Sequence, residues 1–167
     1  MNLDINTEKG RVAAQDELDA FDILMSNNDG IAVYHTSTTG GSPVDGIICC
    51  KTTNKIIGIA EVKSRRDMDR EKFVNERRSE WLVTKAKIDA IASISKLLQI
   101  AAFGILYLPI DGLIFVVKIT RESGDVCCKL RTEVTQTKAT TNGGIANRLN
   151  AFICMKSAKV MKMKFNL

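Results

Sequence analysis

Between Pro43 and Lys63 the chain sets one polar turn between two apolar runs: residues 44–50, then 51–55, then 56–63. Runs rich in Ile and Val and bounded by turn residues predict a β-hairpin. Three ionisable residues interrupt the apolar pattern: Asp45 early in the first strand, and Glu61 and Lys63 at the end of the second. Side chains alternate along a strand, so Glu61 and Lys63 share one face. A hairpin turning near Thr53 sets Asp45 opposite Glu61. Ile57 and Ile59 place Glu61 and Lys63 on the continuation of an apolar face, where unpaired charge is costly.

The periodicity elsewhere predicts helices on either side of this hairpin. Residues 11–27 read as a helix with a stripe of Ala14, Leu18, Phe21 and Met25 and with Asp16, Asp19 and Asp22 on the other side. Glu17 falls on the apolar flank, where an acid needs a partner. Residues 31–36 read as a strand, followed by the small-residue loop 37–42. Residues 64–79 are densely charged with both signs, as a solvated loop or short helix would be. Residues 80–99 read as a second long helix carrying Trp81, Val83, Ile88, Ile91, Ile94 and Leu98. Lys87 sits among these apolar residues, whereas Lys85 lies nearer the polar side. Further strands are expected over 101–108 and 113–120, around the turn at 109–112, and over 126–133. A turn at Asn142-Gly143-Gly144 precedes an apolar run over 151–155.

Composition narrows the class. A chain of 167 residues suits one domain, spanning 1–167, with a sizeable core. Apolar content of 45% and charged content of 26% are those of a soluble globular protein. The net charge of +5 is compatible with a polyanionic partner. Apolar runs are too short for a membrane span, and the first ten residues carry no apolar signal region. The five cysteines, Cys49, Cys50, Cys127, Cys128 and Cys154, form no C-x-x-C motif. They read as reduced thiols in a cytoplasmic protein, neither a zinc site nor a disulfide framework. His35, the single histidine, receives no role.

Pro43-Val44-Asp45, then a strand ending Glu61-Val62-Lys63, resembles the PD-(D/E)XK nuclease superfamily, the restriction-endonuclease-like fold. The order of helix, three strands, helix and strands is similar to that superfamily's core. The resemblance implies an α/β fold with a mixed central sheet flanked by helices on both faces. It implies a metal-dependent DNA endonuclease using Mg²⁺ or Mn²⁺. Asp45 and Glu61 supply hard oxygen ligands, with the Ala60 carbonyl placed as a third. Lys63 orients the attacking water, and Glu17 completes the metal site from the first helix. Lys87, with Lys85 second, is the candidate basic residue from the helix after the E-x-K strand. Arg65, Arg66, Lys85 and Arg148 are the candidate phosphate contacts. The small size is similar to phage-type and junction-resolvase-like members, which act as homodimers on branched DNA such as Holliday junctions. The alternative is a nucleic-acid-binding module that keeps the fold without catalysis. RNA in place of DNA is a third reading.

Overall fold

The computed structural model describes residues 7–36, 42–138 and 145–164. The first helix, α1 (Glu8–Ser26), starts where Thr7, in extended backbone, accepts a 3.0 Å hydrogen bond from the Gly10 N–H through its hydroxyl. A side-chain oxygen there satisfies one of the helix's open donors. Three strands follow as an antiparallel meander: β1 (Ile31–His35), β2 (Gly46–Cys50) and β3 (Ile56–Ser64). The β2–β3 turn closes with Asn54 in the left-handed region at φ 53°. Asn is among the few residues that adopt this conformation readily.

The chain continues through α2 (Arg70–Asn75), β4 (Glu80–Thr84), α3 (Lys85–Leu98), β5 (Ala101–Leu108), β6 (Leu113–Thr120), β7 (Leu130–Lys138), β8 (Ile145–Cys154) and β9 (Lys159–Lys162). Six strands form the central sheet in the order β1-β2-β3-β5-β6-β9, and β4-β8-β7 form a second sheet of three. Every neighbour in the central sheet is antiparallel except β3 and β5, which run parallel. The sheet is therefore mixed, and the protein is α/β. A parallel pair needs a crossover, which α2, β4 and α3 provide.

Alternation along β3 decides what covers each face. Ala60 and Val62, with Ile105 and Tyr107 of β5, pack beside Phe21, Ile23 and Leu24 of α1. Ile59, with Ala102, packs beside Ile91 of α3. Leu106 and Leu108 join Trp81, Ile88 and Ile153, which welds the small sheet and α3 onto that second face. Among the described residues, no helix is long and apolar enough to cross a membrane.

Several expectations change. The helix expected over 80–99 is a strand followed by a helix. Trp81 and Val83 are buried while Glu80, Leu82 and Thr84 are half-buried, a period of two. They face Ile153 and Ala151 of β8 across an antiparallel ladder. Val83 lies at helical spacing from Lys87 and Ile91, so the local pattern fits either period; distant pairing with β8 decides it. The strand expected over 126–133 begins at Leu130, leaving Cys127 and Cys128 outside it. The run at 151–155 is the second half of β8. On α1 the buried face is rotated from the expected stripe: Leu18 is 42% exposed and Asp16 only 2%. The loop residues 37–41 and the turn at 142–144 lie outside the described residues. All five cysteines are free.

Candidate active site

The register Gly46↔Ala60 brings Asp45, one residue before β2, level with Glu61. Asp45 is held there by its own backbone: its N–H donates to the Ala60 carbonyl at 2.9 Å, and its carbonyl accepts from the Thr36 N–H at 2.9 Å. Its Oδ2 accepts from the Val62 N–H at 2.8 Å. The Ala60 carbonyl, expected as a third ligand, is thus part of the sheet ladder. Strand alternation puts Glu61 and Lys63 together on the face that α3 covers.

Glu61 is a buried ionisable group. It is 6% exposed, and its Cα partner in β5 is Gly104. A Cβ at residue 104 would stand 2.2 Å from the Trp81 ring, so glycine is what lets the indole lie against β5 beside Glu61. Lys87 reaches in from the first turn of α3, with Nζ 2.8 Å from Glu61 Oε2. The ammonium meets that buried oxygen as a charge, off the line of a directed hydrogen bond. Burial, then the neighbouring Asp45 carboxylate, push the Glu61 carboxyl up to about 8, against the opposing pull of Lys87. Two carboxyl groups side by side in a dry site need a proton or a cation between them. Lys63, half-buried, makes no hydrogen bond or ion pair among the described residues.

Glu17 does not join this pair. It stands on the α1 side of the sheet, with Oε2 2.6 Å from His35 Nε2. His35, Gly46 and Ala60 are partners across β1, β2 and β3, so their side chains share that face. The Phe21 ring backs the His35 ring edge-on, 5.9 Å between centroids. Burial raises the Glu17 carboxyl above its ordinary value; the His35 hydrogen bond opposes this, and Asp45 and Lys63 act on it more weakly from a distance. Among the described residues, no three His, Cys, Asp or Glu side chains gather closely enough to form a metal cluster. Glu17 thus has His35, the residue left without a role by the sequence, as its direct partner, and meets Asp45 and Lys63 through charge alone. The signal was present: a flank glutamate needing a partner, and a single histidine at a strand end.

The remaining candidates divide. Lys85 is committed to Asp89 one helical turn on, at the surface. Arg66 is engaged with Asp16, through Nη2 to Oδ1 at 2.5 Å and Nε to Oδ2 at 2.9 Å, and Ser64 donates to the same carboxylate at 2.6 Å. Arg148 lies half-buried on β8, level with Thr135 and two residues beyond Asn150, which pairs with Thr84 at the start of α3. Arg65 is half-buried just past β3, where burial pushes its guanidinium down from its ordinary value.

Exchanging Lys87 for Met keeps the stem and removes the charge, so it separates packing from electrostatics. Because Glu61 then loses its counter-charge, its proton should be held to still higher pH. Folding near neutrality should change by less than about 1 kcal/mol, since a neutral carboxyl needs no counter-ion. If the site carries the phosphodiester chemistry that the sequence resemblance implies, turnover should fall at least tenfold, with Lys85→Met close to wild type. Equal activity in all three proteins would remove the helix from the chemistry. Comparison of the chain with protein-family models, with curated proteins and with solved structures finds no match.

Proposed function

We propose that the protein is a metal-dependent nuclease built on a restriction-endonuclease-like core, acting on DNA. The observation that carries this reading is the Asp45–Glu61 pair, set level at the end of β2 and β3 with Lys63 on the same strand face and Lys87 on Glu61. The element order α1-β1-β2-β3-α2-β4-α3-β5, with β3 and β5 parallel, supports it.

The donor set fits a divalent cation. Glu61 Oε2 is a buried oxygen without a directed hydrogen bond, and Asp45 uses only Oδ2 in the ladder. Hard cations such as Mg²⁺ and Mn²⁺ select carboxylate oxygens. Such an ion would supply Lewis-acid polarisation of a phosphate oxygen and a more acidic bound water. The protein's own contribution is positional. The backbone of Ala60 and Val62 fixes Asp45, and Trp81 together with Gly104 keeps the surroundings of Glu61 dry. Lys87 sets the charge on Glu61. Lys63, without another partner among the described residues, would orient a water and stabilise negative charge developing on a phosphate.

Lys63→Ala should lower Mg²⁺-dependent cleavage by at least a hundredfold while DNA affinity changes less than threefold, because one ammonium is a small part of phosphate affinity. Gel assays on branched, linear and single-stranded DNA, with Mg²⁺ or EDTA, check this. Cleavage that persists undiminished in Lys63→Ala would discard the assignment. The Lys87 ammonium against Glu61 favours one second reading, a module that binds nucleic acid without cutting it, because a protein cation already stands beside the carboxyl that would hold a metal. DNA binding with no cleavage of any substrate in Mg²⁺ or Mn²⁺ would select it.

A further inference from the structure

Past the end of β3 the chain builds a second basic feature that the candidate centre does not use. A cavity of about 530 Å³ lies between the 65–82 segment and the small sheet. Its wall carries four arginines, Arg65, Arg77, Arg78 and Arg131. Arg131 is neutralised: it grips Glu80 through Nε at 3.0 Å and Nη2 at 2.8 Å, contacts Glu133, and stacks on Phe152 with its guanidinium 3.9 Å from the ring centroid. Arg65, Arg77 and Arg78 have no ion pair among the described residues. Glu76, also in the wall, offsets one of those three charges, and Asp67 acts on Arg65 from outside it, which leaves an excess of about one to two positive charges at pH 7.

This excess is held in place by the backbone. Arg78 and Ser79 both have left-handed conformations, at φ 53° and φ 57°, which cost non-glycine residues of order 1 kcal/mol each. Three hydrogen bonds fix the bend: Ser79 N to Phe73 O at 3.1 Å, Met155 N to Ser79 O at 2.8 Å, and Glu80 N to Arg77 O at 2.8 Å. Two exposed arginines on a strained, well-anchored bend, brought beside the half-buried Arg65, call for an anion. Trp81 adds a buried indole N–H without a partner to the same wall. The cavity is too large for a bare oxyanion, and the flat Arg131 guanidinium stacked on Phe152 at its wall suits an organic body. A phosphomonoester carries about 1.5–2 negative charges near neutrality, which matches the excess; an internal phosphodiester carries one.

We propose that this cavity binds a phosphomonoester attached to an organic body, either a free mononucleotide or the phosphorylated end of a nucleic-acid strand. Arg65 and Arg77 bind the phosphate, and the Arg131–Phe152 stack takes the body. Leu106, which also lines the cavity, is the Cα partner of Lys63. On the nuclease reading, and only there, a strand end seated in the cavity would lie beside the candidate centre. Phosphate binding itself does not depend on that reading.

The test is calorimetric titration of the full chain in EDTA, so that failure of the metal centre leaves it unaffected. The probes are adenosine 5′-monophosphate, adenosine, and a short oligonucleotide with or without a terminal phosphate. Wild type should bind the monophosphate at least tenfold more tightly than adenosine. Arg77→Gln, on an exposed residue, should reduce that affinity at least tenfold, and Arg65→Met should do the same if it folds. Asp45→Asn should leave it within twofold, since that residue belongs to the other site. A preference for the phosphorylated oligonucleotide assigns the strand end, and monophosphate binding without such a preference assigns the free nucleotide. Equal affinity for monophosphate and adenosine, or no effect of Arg77→Gln, would overturn the proposal. Binding only of oligonucleotides, regardless of their ends, would also overturn it.

Discussion

Glu61→Gln should make the protein more stable at alkaline pH and, on the proposed nuclease function, abolish Mg²⁺-dependent hydrolysis at the same time. The two effects share one cause. Burial and the adjacent Asp45 push the Glu61 carboxyl up to about 8, against an ordinary value of 4.5. Between those values the folded protein holds a proton that the unfolded chain has released. Stability from this group is therefore fully present below pH 4.5 and is lost as pH rises through about 8. Glutamine keeps the shape and cannot ionise, so the variant should lack that loss. The gap between variant and wild type should open across this window to a few kcal/mol, on the scale of ~1.4 kcal/mol per pKa unit. Urea melts at pH 5, 7 and 9 check it. A constant gap at all three would mean that Glu61 ionises normally, and the dry carboxylate pair would have to be abandoned. A divalent ion at this pair must displace the same proton. Mn²⁺ affinity of wild type should therefore rise with pH, by up to tenfold per unit below 8, as measured by titration calorimetry.

The hairpin was legible because its determinants are local. Ile-rich runs, a polar turn and a two-residue alternation set the register that brings Asp45 level with Glu61. Lys87 was legible too, since a lysine on an apolar helical face must find a partner, and Glu61 is the one it finds. What the sequence hid depends on contacts between distant segments. Residues 80–84 satisfy either period, and only the ladder to β8, about seventy residues later, makes them a strand. Asp16 resembles its solvated neighbours Asp19 and Asp22, because its burial rests on Arg66 arriving from the end of β3. Gly104 looked like any strand glycine; its reason is the Trp81 ring that takes the space of its Cβ. Hydropathy records which residues avoid water and is silent on which charge will be neutralised from fifty residues away.

Arg66→Ala should destabilise the fold by roughly 2 kcal/mol, a fall of about 4–8 °C in Tm for a domain of this size, without weakening DNA binding. The arithmetic is asymmetric. Asp16 is 2% exposed and takes hydrogen bonds from Arg66 and Ser64, whereas the Arg66 side chain is 54% exposed and partly solvated. Removing the arginine strands a buried carboxylate with one remaining donor; removing the acid releases an arginine that water can still reach. Full loss of a buried partner costs about 3–5 kcal/mol, and the half-exposed guanidinium reduces that figure. Asp16→Asn should therefore cost less than Arg66→Ala, and the double variant should be no worse than Arg66→Ala alone. A coupling of at least about 1 kcal/mol in that cycle would mark a structural clamp joining α1 to the end of β3. The competing role, a phosphate grip, makes the opposite forecast. There Arg66→Ala would leave Tm unchanged, while DNA affinity and its salt dependence both fell. That result would show that the Asp16 contact is idle and that the arginine leaves it for the nucleic acid.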